Sequence, residues 1–79
     1  MTVHTIATEP MKLVNVLLFD AVEGEWRIGH LRVVLEGVDP FYCACTVAEA
    51  ADLLCEGVPV PVFADVSHWA QLPDPPALG

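Results

Sequence analysis

The sequence predicts an α+β domain: a small antiparallel sheet of about four strands with one α-helix packed on a face. Three observations carry this. Two apolar runs flank Glu23-Gly24 as the arms of a hairpin. Thr46 and Glu49 have the spacing of a capping box, and Gly57 follows the apolar-periodic run that they open. Pro59 and Pro61 mark a last extended segment as an outer one. With 79 residues the chain makes a single domain, 1–79.

In order along the chain, residues 1–10 alternate weakly, Val3, Thr5 and Ala7 against His4, Ile6 and Thr8. They read as an edge strand or an arm that Pro10 ends. Residues 12–22 read as a strand apolar on both faces, hence central or near an interface. Residues 25–35 return as its partner. Leu31, Val33 and Leu35 form one face, and Trp26, Ile28, His30, Arg32 and Val34 form a second, wetter face. Gly29 inside this strand marks a bulge or a close backbone approach.

Residues 37–40 form a turn and residues 41–45 a short apolar strand. The helix then runs from Thr46 to about Glu56, with Val47, Ala50, Ala51 and Leu54 as its apolar stripe. Residues 58–66 read as a strand whose proline side faces water. Trp69 anchors the chain to the core, and 70–79 is an irregular, Pro-rich tail.

The charge is lopsided. The chain carries −8, and Arg32 is its last cationic side chain. After it come Glu36, Asp39, Glu49, Asp52, Glu56, Asp65 and Asp74 with no Lys or Arg. Such a field repels nucleic acid and attracts basic surfaces. Direct nucleic-acid binding is therefore not expected. At 54% apolar residues the chain is too hydrophobic for disorder, and its surplus apolar surface leaves a homodimer open. No run approaches the length of a membrane span, no basic leader precedes the first apolar stretch, and three cysteines do not make a secreted disulfide frame. These features point to a cytoplasmic protein with no membrane partner.

Glu49, Asp52 and Glu56 lie three and four residues apart, on the helix face opposite the apolar stripe. A solvated helix face usually mixes Lys with Glu; this one has none. Glu56 is also placed against the helix dipole. These acids, with Glu36 and Asp39 in the preceding turn, are the candidate partner-binding residues.

Cys43, Cys45, Cys55, His30 and His68 supply zinc-ligand types. Structural zinc sites, however, use two ligand pairs, each with about two to four intervening residues. Here one pair is separated by a single residue, so buried small hydrophobes are the better reading. No Gly-rich phosphate loop, general acid–base pair or activated Cys–His arrangement is evident, so no enzyme, metal or cofactor is expected.

The hairpin of residues 12–35, the acidic capped helix of residues 46–56 and the Gly57 exit into an extended segment resemble, in general character, the anti-CRISPR proteins of phages and prophages. The likeness points to inhibitors of type I surveillance complexes, including those of subtype I-C. It implies binding to basic, DNA-admitting surfaces of Cascade, and it designates no individual contact residue. Two other classes stay open. The strand–hairpin–helix order with Thr-x-x-Glu-Ala is loosely similar to the N-terminal domain of HicB-type antitoxins, and the apolar sheet suits a small homodimeric adaptor.

Overall fold

A computed structural model describes residues 2–33 and 37–73. The expected strand end at Leu35, Glu36 and the tail from 74 onward lie outside the described residues. The fold is α+β, a five-stranded antiparallel sheet with one helix. Its elements are β1 (Val3–Thr5), β2 (Val16–Asp20), β3 (Glu25–Arg32), β4 (Phe41–Cys43), α1 (Val47–Glu56) and β5 (Val66–Gln71). The sheet order is β1-β5-β2-β3-β4. β1 is thus an edge strand, and β2 is the central strand that its two apolar faces require.

Among the described residues three strands are shorter than the alternation suggests, β3 ending at Arg32. β2 begins only at Val16, because Leu13 takes a left-handed backbone (φ 60°) and its N–H donates to the Leu31 carbonyl, 2.9 Å away. β4 ends at Cys43. The β2–β3 turn is held by Asp20, whose Oδ1 accepts from the N–H groups of Val22 (2.9 Å) and Glu23 (3.1 Å). Gly24 closes the turn at φ 72°. Arg27 lies 3.7 Å from the buried carboxylate of Asp20.

The largest departure concerns the C-terminal strand. Residues 58–65 do not form one; they meet β4 in a single bridge, Cys43 with Val62. The Ala44 N–H donates to the Pro61 carbonyl (2.9 Å), and the Phe63 N–H donates to the Tyr42 carbonyl (2.9 Å). Pro61 therefore turns its polar side toward β4, not toward water, and it has no N–H with which to answer the Ala44 carbonyl. The ladder stops there. The true last strand, β5, is inserted between β1 and β2, so Trp69 packs on the core from within a strand, and residues 70 and 71, expected in the irregular tail, belong to that strand.

Cross-strand pairs define the two faces. One face carries Val16, Leu18, Leu31, Tyr42 and Trp69. A register shift near the start of β5 brings Val66 to this side, and Ile6 and Phe63 complete the cluster. His4 stacks on Trp69 with ring centroids 4.4 Å apart. The opposite face carries Leu17, Phe19, Trp26, Ile28, His30 and Cys43. At its β4 end, Cys43, Cys45 and Ala50 pack with Phe41 and Val60, so α1 covers that end.

Of the two readings of Gly29, a bulge or a close backbone approach, the second holds. A Cβ there would run into the Cys43 carbonyl oxygen and would lie 2.7 Å from Leu18 and 2.9 Å from Phe63. The first contact is backbone and cannot swing aside. Gly29→Ala is expected to destabilise the fold by about 3 kcal/mol or more, at the upper end of overpacking costs. Urea unfolding measures this, and a cost within about 0.5 kcal/mol of wild type contradicts the packing described.

Candidate partner-binding surface

The helix that carries the acids is defined at both ends. The Glu49 N–H donates to Thr46 Oγ1 (3.2 Å), and Glu49 Oε1 accepts from the Thr46 backbone N–H (3.2 Å) and hydroxyl (2.9 Å). This is the full capping box. A further helix N–H, that of Val47, donates to Asn15 Oδ1 across 2.8 Å. At the other end Gly57 adopts φ 72°, and the N–H groups of Gly57 and Val58 close onto the Leu54 and Leu53 carbonyls. That pair of bonds is a Schellman motif, which needs a left-handed residue at its turn.

Glu49, Asp52 and Glu56 are all exposed on this helix. They are not equivalent. Glu49 is committed to the cap, so its carboxylate is a structural group as well as a surface charge. Asp52 and Glu56 have no hydrogen bond or ion pair among the described residues. Asp39 is exposed in the connection between β3 and β4, and Glu36 lies outside the described residues.

The apolar stripe is rotated from the one the spacing suggests. Ala50 is the helix's one buried residue, flanked by half-buried Val47 and Leu53, while Ala51 and Leu54 face solvent. The physical reason is contact with the small Cys43–Cys45 turn instead of a broad sheet face, so a narrow strip of the helix suffices.

Beneath the helix lies a polar cluster that alternation misplaces. The strand pattern assigns His30 to the wetter face, yet it is fully buried. Its Nδ1–H donates to the Cys45 carbonyl (2.8 Å), and its Nε2 accepts from Arg32 Nε–H (3.2 Å). Both bonds are satisfied only by the neutral Nδ1–H tautomer. Burial holds the His30 pKa below its ordinary value. The bond to Cys45 opposes that shift, and the nearby Arg32 charge reinforces it. Burial likewise pushes the Cys43 and Cys45 thiols up, each helped by a neighbour, the other thiol for Cys43 and Glu49 for Cys45, with Arg32 acting against. Tyr42 is pushed up to about 12 by burial and by the charge of Glu9.

Chemically, this cluster is a strut. Neither imidazole nitrogen is free to take a proton from a thiol, and the thiols are held protonated. Cys55 is exposed on α1, and His68 bonds Ser67 on β5 (2.8 Å). The structure therefore does not gather the five zinc-type residues. Among the described residues no group of three or more His, Cys, Asp or Glu is disposed to hold a metal ion. No described helix is long and apolar enough to cross a membrane. Compared with protein-family models, curated proteins and solved structures, the chain matches none.

The neutral His30 sets a pH dependence. In the unfolded chain imidazole takes up a proton near pH 6.5, while the folded one resists until lower pH. The unfolded state binds more protons in between, so this contribution is complete above pH 6.5 and is lost as pH falls toward the folded pKa. The urea midpoint is expected to drop between about pH 7.5 and 5.5, and His30→Asn, which can still donate to Cys45, is expected to flatten that drop. An equal drop in the variant assigns the effect to other groups.

Proposed function

We propose that this chain is a non-catalytic inhibitor that acts in the bacterial cytoplasm by laying an acidic surface on a basic, nucleic-acid-binding protein surface. The partner in this reading is a type I CRISPR Cascade complex, and the step blocked is target-DNA binding. One observation carries it: Asp52 and Glu56 are exposed, uncompensated carboxylates on a rigidly capped helix, in a chain with no Lys or Arg after Arg32. Among the described residues none of the site acids is paired with a cation; the one ion pair is that of Arg27 with Asp20. An acidic helix placed against a Lys/Arg-lined channel competes with phosphate for the same charges. The Cascade assignment itself rests on the resemblance in charge, size and element order.

The capping box decides how this is tested. Glu49→Lys would break the cap and confound binding with folding, whereas Asp52 and Glu56 make no hydrogen bond or ion pair among the described residues. The double variant Asp52→Lys/Glu56→Lys is expected to keep the fold and to raise by at least about tenfold the concentration needed to block Cascade–DNA binding in a gel-shift assay. The wild-type inhibition is expected to weaken as salt rises. Full inhibition by the folded double variant overturns the acidic-surface reading. Absence of inhibition by wild type across type I complexes overturns the choice of partner.

A further inference from the structure

Among the described residues, nothing packs over the rest of the sheet face that α1 covers at its β4 end. Cross-strand register puts Val3, Leu17, Phe19, Trp26, Ile28 and His68 together there, on β1, β2, β3 and β5. Phe19 meets Trp26 edge-to-face at 5.3 Å and His68 at 6.4 Å, so the side chains form one continuous layer. Val3 and Ile28 are each 48% exposed and Trp26 is 38% exposed. Aromatic side chains in such a layer are the usual anchors of an interface core.

The geometry points to a second copy of this chain as the occupant: the bare half of the sheet packs face to face on its twofold mate, making a reversible homodimer. Charge argues for it. Away from the helix-covered end, the residues of this face on the four strands include no Asp, Glu, Lys or Arg. In a molecule of net charge −8 this is a surface where two copies can touch without setting carboxylate on carboxylate. A partner chosen by charge would need ionic groups to pair with, and this patch offers none.

Area sets the strength. Four strands spaced about 4.8 Å apart, averaging about five residues at about 3.3 Å rise though β1 has only three, make roughly 300 Å² in plan. With side-chain relief, two such patches bury on the order of 800–1,000 Å² in total, below the about 1,200–2,000 Å² of a standard stable interface. The dimer is therefore a dissociable one. This inference is independent of the proposed inhibitor function.

Sedimentation equilibrium of the full chain tests it. A monomer–dimer equilibrium is expected within a loading range of about 1 to 500 μM, since interfaces under about 1,200 Å² belong with weak, transient contacts. Its dissociation constant is expected to fall several-fold as NaCl rises from about 50 to 500 mM, because salt screens the repulsion between two acidic molecules. Trp26→Thr/Ile28→Thr, which keeps β-forming residues at exposed positions, is expected to be monomeric throughout, with an unchanged far-UV spectrum. Val62→Thr, at an exposed apolar residue in the segment that meets β4 and so outside the four-strand patch, is expected to dimerise as wild type does. A monomer at every concentration overturns the proposal. So does a dimer that weakens with salt, or one that survives the Trp26/Ile28 substitutions. Should that double variant fail to fold, the wild-type concentration and salt series decide alone.

Discussion

A central strand with apolar side chains on both faces imposes a covering problem on the whole chain. Val16 and Leu18 look one way from β2, and Leu17 and Phe19 look the other. Each face must be removed from water, at about 25 cal/mol per Å² of apolar surface. Among the described residues there is one helix, of ten residues, with which to do this. The first face is therefore closed without a helix, by the arm residue Ile6, by Phe63 from the proline segment and by the strand's own Trp69. The indole N–H of Trp69 donates to the Thr8 carbonyl, 2.5 Å away, which ties the arm down over that face. The second face receives the helix at one end only.

Narrow covers require strong local fixing. Where α1 meets the sheet, the contact is mostly small residues, so burial alone holds it weakly. Polar bonds supply the rest. Asn15 reaches from the approach to β2 to the first turn of the helix, and His30 reaches from β3 to the Cys45 carbonyl just before the helix begins. Among the described residues every buried side-chain N or O has a partner. In a low-dielectric site, that completeness separates a specifying network from a destabilising one. It also explains why a buried histidine is tolerated so close to an arginine: neutral, it accepts Arg32's N–H; protonated, it would present a second cation to it.

What is legible in the sequence follows from how local each signal is. The helix ends are readable to the residue, since Thr46, Glu49 and Gly57 act within a few positions of themselves. Gly29 is readable as a close approach because a glycine weakens a strand interior, and a strand keeps one where a neighbouring backbone leaves no room for a side chain. β5 is not readable. Its residues 66–71 follow two prolines that dominate the local pattern, and its place between β1 and β2 is settled by pairing with strands some fifty residues away in sequence. His30 is misplaced for a related reason. Alternation gives its face correctly, but whether that face is wet depends on α1, which arrives later in the chain. Of the candidate acids, spacing identifies the helix face, yet it does not show that the capping carboxylate of Glu49 differs in duty from Asp52 and Glu56.

The two proposed surfaces would respond to salt in opposite directions, which makes them separable and also compatible. Attraction of acids to a cationic groove weakens with screening, whereas contact between two like-charged copies strengthens. The bare sheet half and the acid-bearing side of α1 are distinct regions, because Asp52 and Glu56 are exposed on a helix whose packed strip faces the Cys43–Cys45 turn. A sheet-to-sheet dimer would thus leave the helix acids available and place two copies of the same charged surface on one particle of twice the net charge. On a long basic channel, the second helix would bind at the effective concentration set by a rigid link and not by bulk protein. Such a particle would tie weak self-association to tight inhibition at moderate salt, where repulsion between copies is already screened and attraction to the channel is only partly so.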